Sequence, residues 1–250
     1  MQKIIYYLLN KIFMNAVEHE IIKCAKKNHK VIFDIGCFRG NFTRSIIKID
    51  KKYSNESSFF LFDPNPNTKD YLKSLLQNKN INYFNLALDN SNTQKSFYLN
   101  KFFEASGSSL ITTIKDDKKW KNTRKIFMKF LQPFKKIEDF FEIKVQTQTL
   151  DNFCLENEIN SIDILKIDTE GNELNVLKGA KKLLELNKIN IIYIEISDNK
   201  KRFLEKEESI VNFLNSYNFV LKKKYQIKSL SFFSNLKASD NLFINESSTK

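Results

Sequence analysis

Short apolar runs recur along the chain and alternate with stretches whose apolar residues are spaced as on one face of a helix. Such runs are typical of strands that are covered on both faces, as in a parallel sheet. They predict strands at Val31–Ile35, Phe59–Phe62, Ile81–Asn85, Ser96–Leu99, Ile162–Ile167, Ile189–Ile196, Phe219–Tyr225 and Asp240–Asn245, with an extended edge segment at Ile143–Thr149. The helical spacing predicts helices over residues 3–26, 42–49, 69–77, 150–158, 174–186 and 208–216. This alternation predicts an α/β fold around a mostly parallel sheet.

The first predicted strand runs into a tight glycine turn, Asp34-x-Gly36-x-x-x-Gly40, before a helix. A carboxylate such as Asp34 is costly at the end of a buried strand unless it is paired, so it indicates a polar ligand or an exposed sheet edge. Gly36 and Gly40 let the chain turn sharply and bring bare backbone close to a ligand. Neither the dinucleotide fingerprint nor a Gly-Lys-Ser/Thr phosphate loop is present. We therefore expect a ligand with an adenosine-like group and no phosphate chain, with an ordinary strand-to-helix turn as the alternative.

The ends of the second and third predicted strands add candidate ligand contacts. Asp63 follows the second strand, just over twenty residues after Gly40. The acidic end of a second strand hydrogen-bonds a ribose diol in nucleotide-binding α/β folds, whereas a turn or capping residue is the alternative. Asn85 and Ala87 follow the third strand, where an adenine could stack or bond to the backbone. The glycine turn together with an acidic strand end at this distance predicts a nucleoside site.

The strand Ile162–Ile167 ends in three acids, Asp168, Glu170 and Glu173. We expect this strand beside the first one, so that Asp168 and Glu170 face the crevice where open α/β sheets carry out their chemistry. Acids in the first turn of a helix also favour its positive end and cap its free amides, which is the alternative for one or two of them. Glu195 breaks the next apolar strand and is a further acid near the same edge.

Charge and cysteine usage change this picture little. The formal net charge of +12 comes almost entirely from Lys, and a basic balance favours nucleic acid or an anionic membrane surface as a partner. Lys is nevertheless spread along the whole chain, as in proteins from AT-rich genomes. The three Cys form no Cys-x-x-Cys pair, so neither a disulfide framework nor a zinc site is indicated. The apolar run Ile4–Leu9 is too short for a transmembrane segment and has no cleavage site, so we expect a cytoplasmic protein.

We expect an N-terminal helical segment over residues 1–30 and one large domain over residues 31–250. Residues 113–141 are rich in Lys and Phe, and we interpret them as an insertion that forms a lid over the mouth of the ligand site. Interleaved bases and aromatics are also typical of a single-stranded nucleic-acid surface, although an amphipathic helix with a solvated Lys face is commoner. For the N-terminal helix, packing on the core is expected and peripheral membrane contact is the alternative.

Taken in order, these motifs resemble the FkbM family of S-adenosylmethionine-dependent methyltransferases. The resemblance spans about residues 31–245, and its most specific part is Lys166-Ile-Asp168-x-Glu170-Gly-x-Glu173 followed by Leu-Lys-Gly179-Ala. The other matching motifs are Phe33-Asp34-Ile-Gly36-x-x-x-Gly40, Phe62-Asp63-Pro-Asn65-Pro66, Asn85-x-Ala87-Leu88, Ser108-Ser109, Thr149-Leu-Asp151, Ile194-Glu195 and Asn241-Leu-Phe-Ile244. Asp63 stands where Glu is common in the family, and the insertion at 113–141 looks longer than usual, so the substrate class carries over less directly.

The resemblance implies a class I methyltransferase fold, which is Rossmann-like: a seven-stranded, mostly parallel sheet with an antiparallel C-terminal hairpin and helices on both faces. It also implies S-adenosyl-L-methionine as cofactor and methylation of a hydroxyl. We expect that hydroxyl to belong to a small molecule or glycan, in particular a sugar of a bacterial surface glycan or its precursor. The residues expected to bind the cofactor are Asp34, Gly36, Gly40, Asp63, Asn65, Asn85 and Ala87.

Methyl transfer to a hydroxyl needs an aligned acceptor and a group that takes its proton. Because His occurs only at positions 19 and 29, we expect Asp168 to act as the base or to hold a divalent ion, with Glu170 and Glu195 beside it. Three such oxygen ligands suit Mg²⁺ or Mn²⁺. One alternative is a nucleic-acid methyltransferase, which the missing Asn/Asp-Pro-Pro-aromatic signature of base-amine enzymes disfavours. Another is a non-catalytic nucleotide-binding scaffold protein.

Overall fold

The computed structural model describes residues 17–25, 29–50, 56–100, 110, 140–227 and 236–249. The strands are β1 (Val31–Ile35), β2 (Ser58–Phe62), β3 (Ile81–Phe84), β4 (Ala87–Leu88), β5 (Thr93–Asn100), β6 (Phe140–Gln148), β7 (Ile162–Ile167), β8 (Ile189–Asn199), β9 (Phe219–Ile227) and β10 (Leu236–Asn245). The helices are α1 (described over 17–24), α2 (Asn41–Ile49), α3 (Thr68–Leu72), α4 (Leu150–Glu156), α5 (Glu173–Lys178), α6 (Lys181–Glu185) and α7 (Lys200–Asn215), followed by a 3₁₀ turn at Glu246–Thr249.

The central sheet has the strand order β3-β2-β1-β7-β8-β10-β9. Neighbouring strands from β3 to β8 are parallel, whereas β10 runs antiparallel to both β8 and β9. The expected seven-stranded sheet with an antiparallel C-terminal hairpin is therefore confirmed. In the register of the three middle strands, Ile35 of β1 lies beside both Phe62 of β2 and Ile167 of β7. The carboxyl ends of these strands thus meet at one edge, which is where ligands bind in open α/β sheets.

One face of the sheet is covered by an aromatic cluster. Phe33 and Phe62 point from β1 and β2 towards Phe153 of α4, whose ring meets theirs edge-on with centroids 5.9 and 4.8 Å away. Phe84 of β3 stacks on Phe62 at 5.3 Å. Edge-to-face and offset contacts of this kind add to the burial of large apolar area. They fix α4 against the strands that carry the candidate site.

The opposite face carries α1 and α2. Val17 and Ile21 of α1 and Phe42 of α2 are buried against strand residues of the middle sheet. Phe42 stacks on Tyr193 of β8 with ring centroids 5.8 Å apart. Apolar residues spaced at helical intervals produce these buried stripes, so the expected packing of the N-terminal helix on the core is confirmed for its described part.

A second, three-stranded sheet with the order β4-β6-β5 is a feature that the sequence analysis does not predict. β5 pairs antiparallel with β6 along eight residues, and β4 adds to β6 in parallel. The two paired strands are separated in sequence by residues 101–139, and no local turn signal links them. Phe97 of β5 and Val145 of β6 form its small core together with Ala87. This second sheet therefore begins shortly after β3, beside the carboxyl edge of the central sheet.

Three predicted helices differ from the structure. The helix expected over 208–216 begins earlier, at Lys200 of α7. The helix expected over residues 69–77 is short, and α3 ends at Leu72 before a series of turns. The helix expected over 174–186 is split into α5 and α6 at Gly179, where a Cβ would overlap the carbonyl of Asp89. Asp151 of α4 then accepts two backbone hydrogen bonds from the first turn of α6, at 2.9 and 3.0 Å. Packing against neighbouring segments thus overrides the helical periodicity.

Parts of the predicted organisation fall on residues outside the described ranges. The proposed lid at residues 113–141 lies outside them except for its last two residues, which begin β6. The N-terminal segment is described only for residues 17–25 and 29–30. Of the helices that are described, none combines the length and apolar character needed to cross a membrane.

Candidate active site

A cleft opens at the carboxyl edge of the central sheet, between the ends of β1, β2 and β7 and the start of the second sheet. Its empty space, with the open mouth included, is about 680 Å³. The lining residues are Ile35, Gly36, Phe38, Phe62, Asp63, Pro64, Leu86, Ala87, Leu88, Phe97, Leu110, Asp168, Thr169, Glu170 and Asn172. The cleft therefore brings together the ends of three strands that the sequence analysis singles out.

Asp63 is held from both sides by backbone N–H groups. Phe38 donates to Oδ2 and Asn65 donates to Oδ1, each at 2.9 Å. Phe38 reaches this position with a left-handed φ of 45° within the glycine turn. Burial raises the pKa of Asp63 to about 6, although the two backbone hydrogen bonds act in the opposite direction. The carboxylate is thus fixed in place at the lining of the cleft.

The predicted contacts Asn65 and Asn85 support Asp63 and do not line the cleft. The side chain of Asn65 is buried, and its Oδ1 accepts a hydrogen bond from the backbone of Asn67 at 3.0 Å. Asn85 donates through Nδ2 to the backbone carbonyl of Asp63, also at 3.0 Å. These bonds shape the loop after β2. Direct cofactor contact by either Asn stays a prediction.

Ala87 does line the cleft, together with Leu86 and Leu88. Phe97 of the second sheet and Leu110 continue this apolar wall. An apolar surface next to a fixed carboxylate suits a nucleoside, whose base is apolar on its faces and whose ribose is polar. The structure therefore provides the kind of surface that the sequence analysis expects around Ala87.

The two predicted glycines have different positions. Gly36 lines the cleft with φ at +76°, and a Cβ there would overlap the backbone carbonyl of Asp168. Gly40 lies outside the lining at φ +69°, and a Cβ there would overlap the side chains of Leu72 and Leu75. Gly36 thus permits β1 and β7 to meet at the cleft, whereas Gly40 permits α3 to pack closely against the start of α2.

Asp34 does not line the cleft and is fully buried. Its Oδ2 accepts a hydrogen bond from Thr43 of α2 at 2.8 Å, and its Oδ1 lies 3.6 Å from Nζ of Lys166. Burial raises the pKa of Asp34, while Lys166 and Thr43 oppose that shift. The partner that the sequence analysis expects for this carboxylate is therefore supplied by the protein itself. Contact between Asp34 and a cofactor stays a prediction.

Lys166 links Asp34 to the candidate base. Its Nζ donates to Oδ2 of Asp168 at 3.1 Å, and the Asp168 side chain is 28% exposed at the cleft. Burial acts to lower the pKa of Lys166, but the carboxylates of Asp168, Asp34 and Glu195 raise it above its ordinary value. Lys166 therefore remains a cation, and it is shared by the carboxylates of Asp34 in β1 and Asp168 after β7.

The predicted metal site at Asp168, Glu170 and Glu195 has no support in this geometry. The ammonium of Lys166 already lies against Asp168. The charge of Asp168 raises the pKa of Glu195 well above its usual range, and burial adds to that shift. Within the described ranges, no three His, Cys, Asp or Glu side chains converge as metal ligands. A lysine ammonium in contact with Asp168 does not fit the oxygen ligand set that Mg²⁺ or Mn²⁺ requires.

Asp168 and Glu170 both line the cleft, as predicted from their place after β7. Glu170 has a left-handed φ of 52°, which is uncommon for a residue other than glycine. Asn172 of the same loop donates through Nδ2 to the carbonyl of Leu88 at 3.3 Å. The loop that carries the two acids is thus attached to the apolar wall of the cleft.

Lys166, Phe97 and Leu110 are not predicted as site residues. Lys166 and Asp168 are two positions apart at the end of a strand, so they lie on one face, and this spacing could have revealed the pair. Phe97 and Leu110 carry no comparable local signal, because the second sheet that positions Phe97 depends on pairing between distant segments. The sequence pattern alone cannot supply that pairing.

Comparison with known proteins gives the family. A model described as "Methyltransferase FkbM domain" matches residues 34–221, which is most of the chain. The 2-O-methyltransferase NoeI of Sinorhizobium fredii (strain NBRC 101917 / NGR234) is 26% identical over 187 residues, covering 74% of this chain and 70% of that protein. The family match over residues 34–221 includes the glycine turn, Asp63 and the acidic loop after β7.

A solved structure agrees with the fold. The crystal structure of methyltransferase FkbM from Methylobacillus flagellatus KT aligns with a TM-score of 0.51 and 11% identity, covering 87% of this chain. This chain spans 44% of the length of that one. This similarity of fold and the family match over residues 34–221 agree with each other. The chain belongs to the FkbM methyltransferase family and is a methyltransferase.

Proposed function

We propose that the protein transfers a methyl group from S-adenosylmethionine to a hydroxyl of a sugar, in a bacterial surface glycan or its precursor. The observation that carries this proposal is a single cleft with two acidic strand ends. One of them, Asp63, is fixed by backbone hydrogen bonds, and the other, Asp168, is paired with a buried cation. The first suits binding of a nucleoside, and the second suits handling of a proton.

The residues of the cleft fit S-adenosylmethionine. The anchored carboxylate of Asp63 is suited to accept hydrogen bonds from the ribose hydroxyls. The apolar wall around Ala87 and Phe97 offers a surface for the adenine, and Gly36 exposes backbone between the two acids. When bound, S-adenosylmethionine supplies a methyl group activated by its attachment to a positively charged sulfur.

On the acceptor side, the chain must align a hydroxyl and remove its proton. Alignment supplies much of the rate in a direct displacement, and a hydroxyl becomes a better nucleophile when a base in reach takes its proton. Asp168 is the candidate base because its side chain reaches the cleft while Lys166 fixes one of its oxygens. Glu170 lies beside it in the lining and is suited to hydrogen-bond acceptor hydroxyls.

A hydroxyl acceptor is supported by the similarity to NoeI, a 2-O-methyltransferase. A sugar is our choice among hydroxyl acceptors, since acidic residues such as Asp168 and Glu170 are suited to bind several hydroxyls of one ring. The described residues of the acceptor side are acidic, which does not favour a nucleic-acid phosphate backbone. A carbohydrate is therefore the first substrate class to test.

The experiment incubates the purified protein with S-adenosylmethionine and a set of methyl glycosides, with RNA oligonucleotides in parallel. Formation of S-adenosylhomocysteine and mass spectrometry of the acceptor give the readouts. We expect methylation of at least one glycoside on oxygen and none of RNA. Methylation of RNA, with no glycoside modified, would replace the sugar by a nucleic acid. Failure of the folded protein to bind S-adenosylmethionine would overturn the donor assignment.

A further inference from the structure

The loop between β7 and α5 has an unusual backbone. Glu170 and Gly171 both have positive φ values, 52° and 120°. A left-handed conformation is strained for a residue with a side chain and persists only where its surroundings hold it there. The same loop carries Asp168 and Glu170 into the cleft. Because this conformation is strained, some interaction must stabilise it. The backbone of the loop in turn determines where both acids lie.

Glu173, the third acid of the motif, supplies that interaction from the first turn of α5. Its side chain is buried, and its Oε1 accepts hydrogen bonds from the backbone N–H of Thr169 at 3.2 Å and of Gly171 at 2.8 Å. The hydroxyl of Thr169 donates to the same oxygen, also at 3.2 Å. Glu173 thus binds the chain immediately before and immediately after Glu170.

A lysine from a distant helix neutralises this buried carboxylate. Nζ of Lys206 in α7 lies 2.7 Å from Oε2 of Glu173, and the two side chains are 14% and 1% exposed. The same Nζ donates to the carbonyl of Ser197 at the end of β8, at 3.1 Å. A buried carboxylate without a counterion is strongly unfavourable. Lys206 therefore allows Glu173 to remain in its position under the loop.

We infer that Glu173 and Lys206 are positioning residues for methyl transfer, which they serve by holding the Asp168–Asn172 loop in its reactive shape. The inference rests on the proposed function, since it takes Asp168 and Glu170 to face the reacting groups. Neither Glu173 nor Lys206 lines the cleft. They act through the backbone of the loop, and a small displacement of a catalytic group can cost about 100-fold in rate.

The test compares Lys206→Met with a matched control, Lys224→Met. Lys224 of β9 forms an equally short ion pair, 2.7 Å, with Glu207 of the same helix α7. Glu207 keeps a hydrogen bond from Ser239 when Lys224 is lost. Both variants remove one Lys–Glu pair from α7, but only Lys206→Met affects the loop. The conservative variant Lys206→Arg tests whether a positive charge restores the effect.

The first readout is hydrogen exchange of the Thr169 and Gly171 amides. We expect exchange at least about tenfold faster in Lys206→Met, near wild-type exchange in Lys224→Met, and partial recovery in Lys206→Arg. Unchanged protection in Lys206→Met would overturn the inference. If Lys206→Met does not fold, Glu173→Gln replaces it, because the single side-chain oxygen of Gln cannot accept from both Lys206 and the two backbone N–H groups. Faster exchange of both amides in Glu173→Gln is then the expected result, and wild-type exchange would be the contradicting one.

The second readout is turnover on a methyl glycoside that the wild type modifies. We expect the kcat of Lys206→Met to fall by about 10- to 100-fold, with the KM for S-adenosylmethionine changed by less than about threefold. Equal kcat values for Lys206→Met and Lys224→Met would contradict the positioning role. Absence of turnover in the wild type would instead count against the proposed function, and the hydrogen exchange result would still decide whether the pair holds the loop.

Discussion

Each side of the cleft carries an aspartate, and the two aspartates have different surroundings. Asp63 is held by two neutral backbone donors, Phe38 and Asn65, at equal distances of 2.9 Å. Asp168 is held by a charged side chain, Lys166, at 3.1 Å. Backbone donors belong to a rigid turn and cannot change their charge, whereas Lys166 belongs to a group of interacting ionisable residues.

This difference separates a binding role from a chemical one. A carboxylate fixed by backbone groups presents its oxygens in a defined direction, which suits recognition of a nucleoside. A carboxylate that lies at the cleft and is held there by a lysine is placed to take a proton from a hydroxyl. If the account is right, substitutions on the two sides will affect different measured quantities: affinity for the donor on the Asp63 side and turnover on the Asp168 side.

The largest expected effect comes from Asp168→Asn. Loss of the candidate base should lower kcat by about 10²- to 10⁴-fold, the usual contribution of general base catalysis. Donor affinity should stay within about threefold, because Asp63 and the apolar wall are unchanged. Single-turnover kinetics on an accepted glycoside, with equilibrium binding in parallel, measures both values. Full turnover with unchanged donor affinity would show that Asp168 is not the base.

The second-largest expected effect is the loss of donor affinity in Asp63→Ala. Removing two hydrogen bonds to a charged group should weaken binding of S-adenosylmethionine by about 100-fold or more. Equilibrium dialysis with labelled S-adenosylmethionine measures the change. Asp70→Ala is the matched control, since Asp70 lies on the neighbouring helix α3 with its side chain 71% exposed. Equal affinities of the two variants would contradict the role of Asp63.

A smaller effect is the pH dependence of donor binding. Because burial raises the pKa of Asp63 to about 6, the carboxylate is ionised above that pH and gains its proton below it. Donor affinity should therefore fall as the pH decreases through 6, by about tenfold at pH 5, where roughly a tenth of the carboxylate remains ionised. Titrations from pH 5 to 8 test this, with Asp63→Asn as the control. The control should show a weaker and flatter profile, and parallel profiles would contradict the assignment.

The smallest effect on the donor is expected for Asp34→Asn, because Asp34 lies behind the cleft. Donor affinity should change by less than about threefold, whereas the free energy of unfolding should fall by about 3 kcal/mol from loss of a buried charge partner. Urea unfolding and equilibrium binding measure the two quantities. Loss of donor affinity with unchanged stability would instead make Asp34 a direct cofactor contact.

Much of the fold follows from the sequence because its signals are local. The apolar runs give the parallel strands, and the acids that follow β2 and β7 give the two sides of the cleft. The pairing of β5 with β6 is not local, since residues 101–139 separate the two strands. The split at Gly179 depends in the same way on contact with Asp89, which lies far away in sequence.

The residues of the candidate site show the same difference between local signals and long-range contacts. Asp63, Ala87, Asp168 and Glu170 line the cleft as expected, whereas Asp34 and Gly40 have buried or packing surroundings. The sequence pattern shows that a strand ends in an acid, but it does not show whether a lysine from the neighbouring strand or a ligand will pair with it. That choice depends on register between strands, which places Asp34 beside Lys166.

Calorimetric titration with S-adenosylhomocysteine at pH 7.5 tests whether the two sides of the cleft have separate roles. Wild type, Asp63→Ala and Asp168→Asn are compared under the same conditions. We predict micromolar binding to the wild type, roughly −8 kcal/mol, an affinity within about threefold of this for Asp168→Asn, and at least about 100-fold weaker binding for Asp63→Ala. No binding to the folded wild type, or equal losses in the two variants, would contradict the account.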